Sequence, residues 1–140
     1  MSDVHFGGCV CGAVRYKVQG EPVAALVCHC KYCQRRTGSA FAITVYFETE
    51  DVELLQGSLS SHEHKSDESG RWIKRHFCAA CGTPISHVAE MRPGLRAIAG
   101  GTFDDPNWFS IKQHIWVKSK QHWVSIPAIF NPPAESDLAA

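Results

Sequence analysis

Three thiols lie within six residues in the run Cys28-His29-Cys30-Lys31-Tyr32-Cys33. Side chains alternate along an extended segment, so Cys28 and Cys30 point one way and His29 the other. A tight turn then brings Cys33 to the same point. Three converging thiolates suit a soft or borderline cation such as zinc, and three protein ligands leave the fourth tetrahedral position open for chemistry. Two other readings stay open. With His29 as fourth ligand the set would be a closed structural site, against which the alternation argues. Without a metal it would be a reactive thiolate cluster, since Lys31, Arg35 and Arg36 supply the positive charge that lowers thiol pKa values.

The remaining four cysteines fall into two pairs, Cys9-x-Cys11 and Cys78-x-x-Cys81. The first is set among Gly7, Gly8 and Gly12, and the second is followed by Gly82, which suits the sharp turns of a metal knuckle. Together they make a four-thiolate site clamping the N-terminal strand to the middle of the chain, a link on the order of 10 kcal/mol in structural zinc sites. The plainer alternative is four ordinary buried cysteines. Seven cysteines thus divide into one closed and one open zinc site, two metals per chain, the second catalytic or labile.

Around the open site, Arg35 and Arg36 could take the carboxylates of an acidic cosubstrate, because guanidinium forks match that geometry. The competing reading is a solvated helix face. Tyr32 or Asp104 could supply a proton, although Asp104-Asp105-Pro106-Asn107 is first of all turn chemistry. Histidines 62, 64, 76, 87, 114 and 122 show no helical pairing, and Trp72, Trp108, Trp116 and Trp123 read as core, with one of them available to line a pocket.

The elements that must position these residues are mostly strands. Val14, Tyr16 and Val18 alternate with Arg15, Lys17 and Gln19, a pattern with one buried face. Val23 to Val27 leads into the central cysteines, Lys31 to Gly38 is the one short helix, and Ala40 to Phe47 is a well-buried strand. Further strands are expected at 52–56, 59–64, 70–77, 95–99, 111–117 and 123–126. No apolar period of 3.6 residues persists for three turns. The expected fold is mainly β, built from short antiparallel strands with turn-borne metal sites.

The chain has 140 residues, with Lys+Arg and Asp+Glu both 14. One core and one domain over 1–130 are expected, with 131–140, rich in small and acidic residues, as a mobile tail. A net charge of zero weighs against nucleic acid. No apolar run reaches membrane-spanning length and the N-terminus has no export pattern, which points to a reducing, cytoplasmic setting without a membrane partner. Exposed apolar surface on a small β domain leaves room for a homodimer.

Taken together, Gly8-Cys9-x-Cys11-Gly12, Cys28-His29-Cys30-x-x-Cys33 with Arg35-x-x-Gly38-Ser39-Ala40-Phe41, Phe77-Cys78-x-x-Cys81-Gly82-Thr83-Pro84 and Gly101-Thr102-x-Asp104-Asp105-Pro106 resemble the glutathione-dependent formaldehyde-activating enzyme family, which also includes centromere protein V. The resemblance runs from Gly7 to Pro127. It implies a mainly β fold of the Mss4-like type, with Cys9, Cys11, Cys78 and Cys81 as structural zinc ligands and Cys28, Cys30 and Cys33 as the catalytic set. The implied activity is of the carbon–sulfur lyase type, forming S-(hydroxymethyl)glutathione from formaldehyde and glutathione. Its partner would be a small-molecule thiol. A non-catalytic thiol carrier and a zinc-built interaction module are the alternatives.

Overall fold

The computed structural model describes residues 3–67 and 69–130. Ten strands and one α-helix follow in order: β1 (Val4–Gly8), β2 (Arg15–Gln19), β3 (Ala24–Cys28), α1 (Lys31–Thr37), β4 (Ala42–Glu48), β5 (Val52–Gln56), β6 (Leu59–Lys65), β7 (Trp72–Cys78), β8 (Pro84–Ala89), β9 (Leu95–Ala99) and β10 (Gln113–Ile115). The protein is mainly β, as its alternating sequence demands. A three-stranded sheet has the order β1-β2-β5 and a seven-stranded sheet the order β10-β3-β4-β9-β8-β7-β6. All pairings are antiparallel except β10, which runs parallel to β3. No helix among the described residues is long and apolar enough to cross a membrane.

Alternation along β4 sorts two cores. Val45 and Phe47 join Val14, Tyr16 and Val18 of the small sheet, with Ile85, Ile98 and Phe103, in a layer between the sheets. Ala42 and Tyr46 face the other way, packing with Leu26, Cys28, Ala97 and Ile115 under Cys33 of the helix. The inter-sheet layer includes Tyr16, whose hydroxyl hydrogen-bonds Thr102 at 2.7 Å. A Cβ at Gly7 would collide with that hydroxyl and with the Thr102 carbonyl, so the close approach of β1 requires glycine.

Several expected elements differ. β1 and β8 have no counterpart in the sequence reading. β1 ends in Gly7 and Gly8, which carry no alternation, and β8 starts at Pro84 and buries the polar Ser86 and His87. The strand expected over 111–117 shrinks to β10, because Trp116 adopts a left-handed backbone (φ 56, ψ 41) and a 3-10 turn follows. The strand expected at 123–126 is irregular loop. Trp123 there is 66% exposed, its indole N–H donating to Gln121, so it is not a core residue. The expected tail, 131–140, lies outside the described residues.

Candidate metal centres and the cleft over Cys30

β3 carries Cys28 to the edge of the helix, where the His29 N–H donates to the Ile115 carbonyl and anchors the crossing to β10. Cys30 is the N-cap of α1 and its sulfur accepts the Cys33 N–H at 3.3 Å. Gly38 closes the helix in a left-handed conformation, φ 68, where glycine pays no Cβ penalty. A seven-residue helix is too short to persist alone. Gln34 fixes it by donating to the carbonyls of His29 (2.8 Å) and Ser119 (2.9 Å) and accepting from Gln121 (3.3 Å).

The three sulfurs of Cys28, Cys30 and Cys33 are buried and lie within 4.8 Å of one another. Hydrogen bonds from Cys28 and then Cys33 pull the Cys30 pKa down to about 3, while bonding to Cys30 and Cys33, with burial, pushes the Cys28 thiol well up. Three such thiols do not all ionise unaided, and a bound cation reverses that. The donor set therefore fits zinc, whose bonds to sulfur of about 2.3 Å put tetrahedral sulfurs about 3.8 Å apart.

The four sulfurs of Cys9, Cys11, Cys78 and Cys81 form the second cluster, also within 4.8 Å. Cys11 Sγ is 3.6 Å from Cys9 Sγ and 3.9 Å from Cys78 Sγ, which matches tetrahedral spacing. Backbone donors already surround it: the Val14 N–H to Cys9, and the Ala80 and Cys81 N–H groups to Cys78 at 3.3 Å each. The Thr83 hydroxyl lies 3.0 Å from Cys81 Sγ and, with the Thr83 N–H, pulls that thiol to about 5. These are the contacts that thiolates need.

His29 turns away from the central cluster. It is fully buried, with Nε2 3.0 Å from His114 Nδ1 and its ring edge to Phe41. Burial, then the neighbouring His114, lowers its pKa to about 4. The adjacent arginines divide. Arg35 is exposed and lines a cleft of about 660 Å³ with Lys31, Gln34 and Gln121. Arg36 points inward, its Nη2 3.6 Å from Cys33 Sγ and its guanidinium 5.9 Å over the Tyr32 ring. Tyr32 stacks on His64 (4.7 Å) and its buried hydroxyl has no hydrogen-bond partner among the described residues.

Asp104 requires a correction. Its carboxylate binds Arg15 through both oxygens, at 3.0 and 2.6 Å, and its N–H donates to Phe6 on the small sheet. The Arg15 guanidinium holds that carboxyl below its ordinary range, so it stays ionised and is unsuited to donate a proton.

A cleft of about 370 Å³ has Cys30 in its wall, together with Lys31, Tyr32, His64, Ser66, Trp116, Lys118 and Ser119. His64 and Lys118 were not among the residues expected at the site, and Trp116 takes the pocket-lining place that the sequence left open to one of the tryptophans. The hint in the sequence was Trp116 standing just before two lysines, 118 and 120. Its left-handed backbone is costly for a bulky residue, and its buried indole N–H has no hydrogen-bond partner among the described residues.

Comparison with known proteins finds relatives of both sequence and fold. A family model for glutathione-dependent formaldehyde-activating enzyme matches residues 4–119. A curated Halomonas elongata protein, provisionally named as a glutathione-dependent formaldehyde-activating enzyme, is 26% identical over 125 residues, 86% of this chain and 79% of its own. A crystal structure of a Rhodobacter sphaeroides protein superposes with a TM-score of 0.56 at 25% identity, covering 71% of this chain and 87% of that one.

Proposed function

Because the chain belongs to the glutathione-dependent formaldehyde-activating enzyme family, we propose that it is a carbon–sulfur lyase-type enzyme acting on glutathione or a related thiol adduct, like an S-(hydroxymethyl)glutathione synthase. The observation that carries this reading is the cleft with Cys30 in its wall, set beside two other buried thiols. Cys28, Cys30 and Cys33 would hold a zinc, and Cys9, Cys11, Cys78 and Cys81 a second, structural one. When bound, the open-site zinc supplies the charge that lowers the pKa of a substrate thiol. The rest of the reaction belongs to the chain.

The substrate sulfur attacks the formaldehyde carbon, a carbon–sulfur bond forms, the carbonyl π electrons move to oxygen, that oxygen takes a proton from a general acid, and the proton released by the thiol restores the acid. Tyr32 is the proposed proton source, since burial raises its pKa and keeps it protonated. Arg35 and Arg36 are the proposed partners for the carboxylates of glutathione. Arg35, exposed beside Lys31, reaches solvent where a charged peptide can dock. We place all of this in one zinc-binding domain over 1–130, in the cytoplasm.

Thiol addition to formaldehyde proceeds without help, so the test is a rate above the uncatalysed background that saturates in glutathione. Cys30→Ala should abolish that excess. Arg35→Ala should raise KM for glutathione about tenfold and leave a thiol without carboxylates, such as 2-mercaptoethanol, unaffected. Saturable glutathione binding with no excess rate would instead mean a carrier.

A further inference from the structure

Away from both cysteine clusters, a cavity of about 270 Å³ opens between the two sheets. Tyr16, Val52 and Leu54 come to it from the small sheet, and Leu59, Ile85 and Ile98 from the large one. Its polar residues are Thr49, His76, Ser86 and Arg96. The volume falls just below the usual small-molecule range of about 300–1,000 Å³, which suits a ligand of few heavy atoms.

Arg96 is out of place there. On β9 it shares a face with Ile98, two residues on, which is 1% exposed in the inter-sheet core, while Leu95 and Ala97 pack on the opposite side. A cation therefore points into an apolar layer. Its Nη1 donates to Ser86 Oγ at 3.0 Å and to His76 Nδ1 at 3.3 Å. Since guanidinium only donates, Nδ1 accepts, and His76 carries its proton on Nε2 and is neutral. Among the described residues the ion pairs are Arg15–Asp104 and Lys17–Glu53, so no carboxylate neutralises Arg96. Arg96 is half-buried, and a partly desolvated charge without a counter-ion is relieved by an anion.

We propose that this cavity is a second ligand site, taking a small carboxylic acid with an apolar tail, its carboxylate held by Arg96 and its tail by Val52, Leu54 and Leu59. The inference does not rest on the thiol chemistry of the cysteine cluster. An inorganic anion would leave the apolar wall unused, and a neutral apolar molecule would leave the guanidinium unpaired.

The test is calorimetric titration of the full chain with hexanoate and with its neutral isostere hexanamide. Hexanoate should bind saturably and the amide at least about tenfold more weakly. Arg96→Gln should weaken hexanoate by a similar factor and erase the difference between the two, and Arg35→Ala should change neither. Leu54 is 45% exposed at the cavity rim, so Leu54→Trp fills the space at little risk to folding and should abolish hexanoate binding even if Arg96→Gln does not fold. Equal affinity for acid and amide, hexanoate binding that survives Leu54→Trp, binding lost in Arg35→Ala, or no saturable binding up to about 10 mM would each overturn the proposal.

Discussion

His87 shows what a single residue can do without touching the reaction. It is 7% exposed and sets its ring edge-on against Tyr46 of β4. The charges around it are all positive: Arg36 from α1, Arg75 from β7 and Arg92 beyond β8. Burial first, and these cations after it, hold its pKa well below 6.5. In the unfolded chain the same imidazole gains a proton below about pH 6.5. The stability this arrangement confers is therefore complete above that pH and falls as the medium acidifies toward the folded value. His87→Gln should lower the melting temperature at pH 7.5, and the gap from wild type should narrow by pH 5.5. A gap that is constant with pH would mean that His87 titrates normally. Little of this was legible beforehand, because burial of a polar residue on β8 depends on which strands flank it. The grouping of the cysteines was legible, since their spacing in the sequence already divides them into the sets of four and three that the fold brings together. The arginines were half legible: adjacency identified both, but only the helix's orientation sends Arg36 inward and Arg35 to solvent.

At the scale of elements, α1 depends on its neighbours more than on its own sequence. Its ends were readable, because Cys30 caps one and Gly38 terminates the other. What holds it down was not, for two of the three partners of Gln34 lie 85 and 87 residues away. Gln34→Ala would leave the His29 and Ser119 carbonyls short of a donor, at a cost of about 1–3 kcal/mol. Urea unfolding should show the midpoint fall with an unchanged slope, since the surface exposed on unfolding stays the same. A variant as stable as wild type would mean that the helix is held by Cys33 packing alone. The strands divide in the same way. β2 announced itself through strict alternation and β4 through a nearly continuous apolar run, whereas β1 and β8 are fixed by partners across the sheet, and β10 is cut short by the backbone of Trp116.

Across the whole molecule the two cysteine clusters occupy different mechanical positions. Cys9 and Cys11 lie in the loop between β1 and β2 of the small sheet, while Cys78 ends β7 and Cys81 lies in the turn before β8 of the large sheet. Cys78 also belongs to the core between the sheets, with Cys9 packed against it. The four-thiol cluster thus joins the sheets along the seam they share. The three-thiol cluster lies on the opposite side of the large sheet, contained within β3 and α1. If each holds zinc, losing the first metal should part the sheets, since binding energy of this kind is folding energy. Losing the second should alter one helix terminus. Elemental analysis of protein purified without chelator should give two zincs per chain, and dialysis against reduced glutathione should release only one. Cys30→Ala should keep one zinc and native near-ultraviolet circular dichroism, whereas Cys78→Ser should bind poorly and unfold at ordinary temperature. If Cys30→Ala unfolds as readily as Cys78→Ser, both clusters are structural, and the open coordination position on which the proposed chemistry depends is lost.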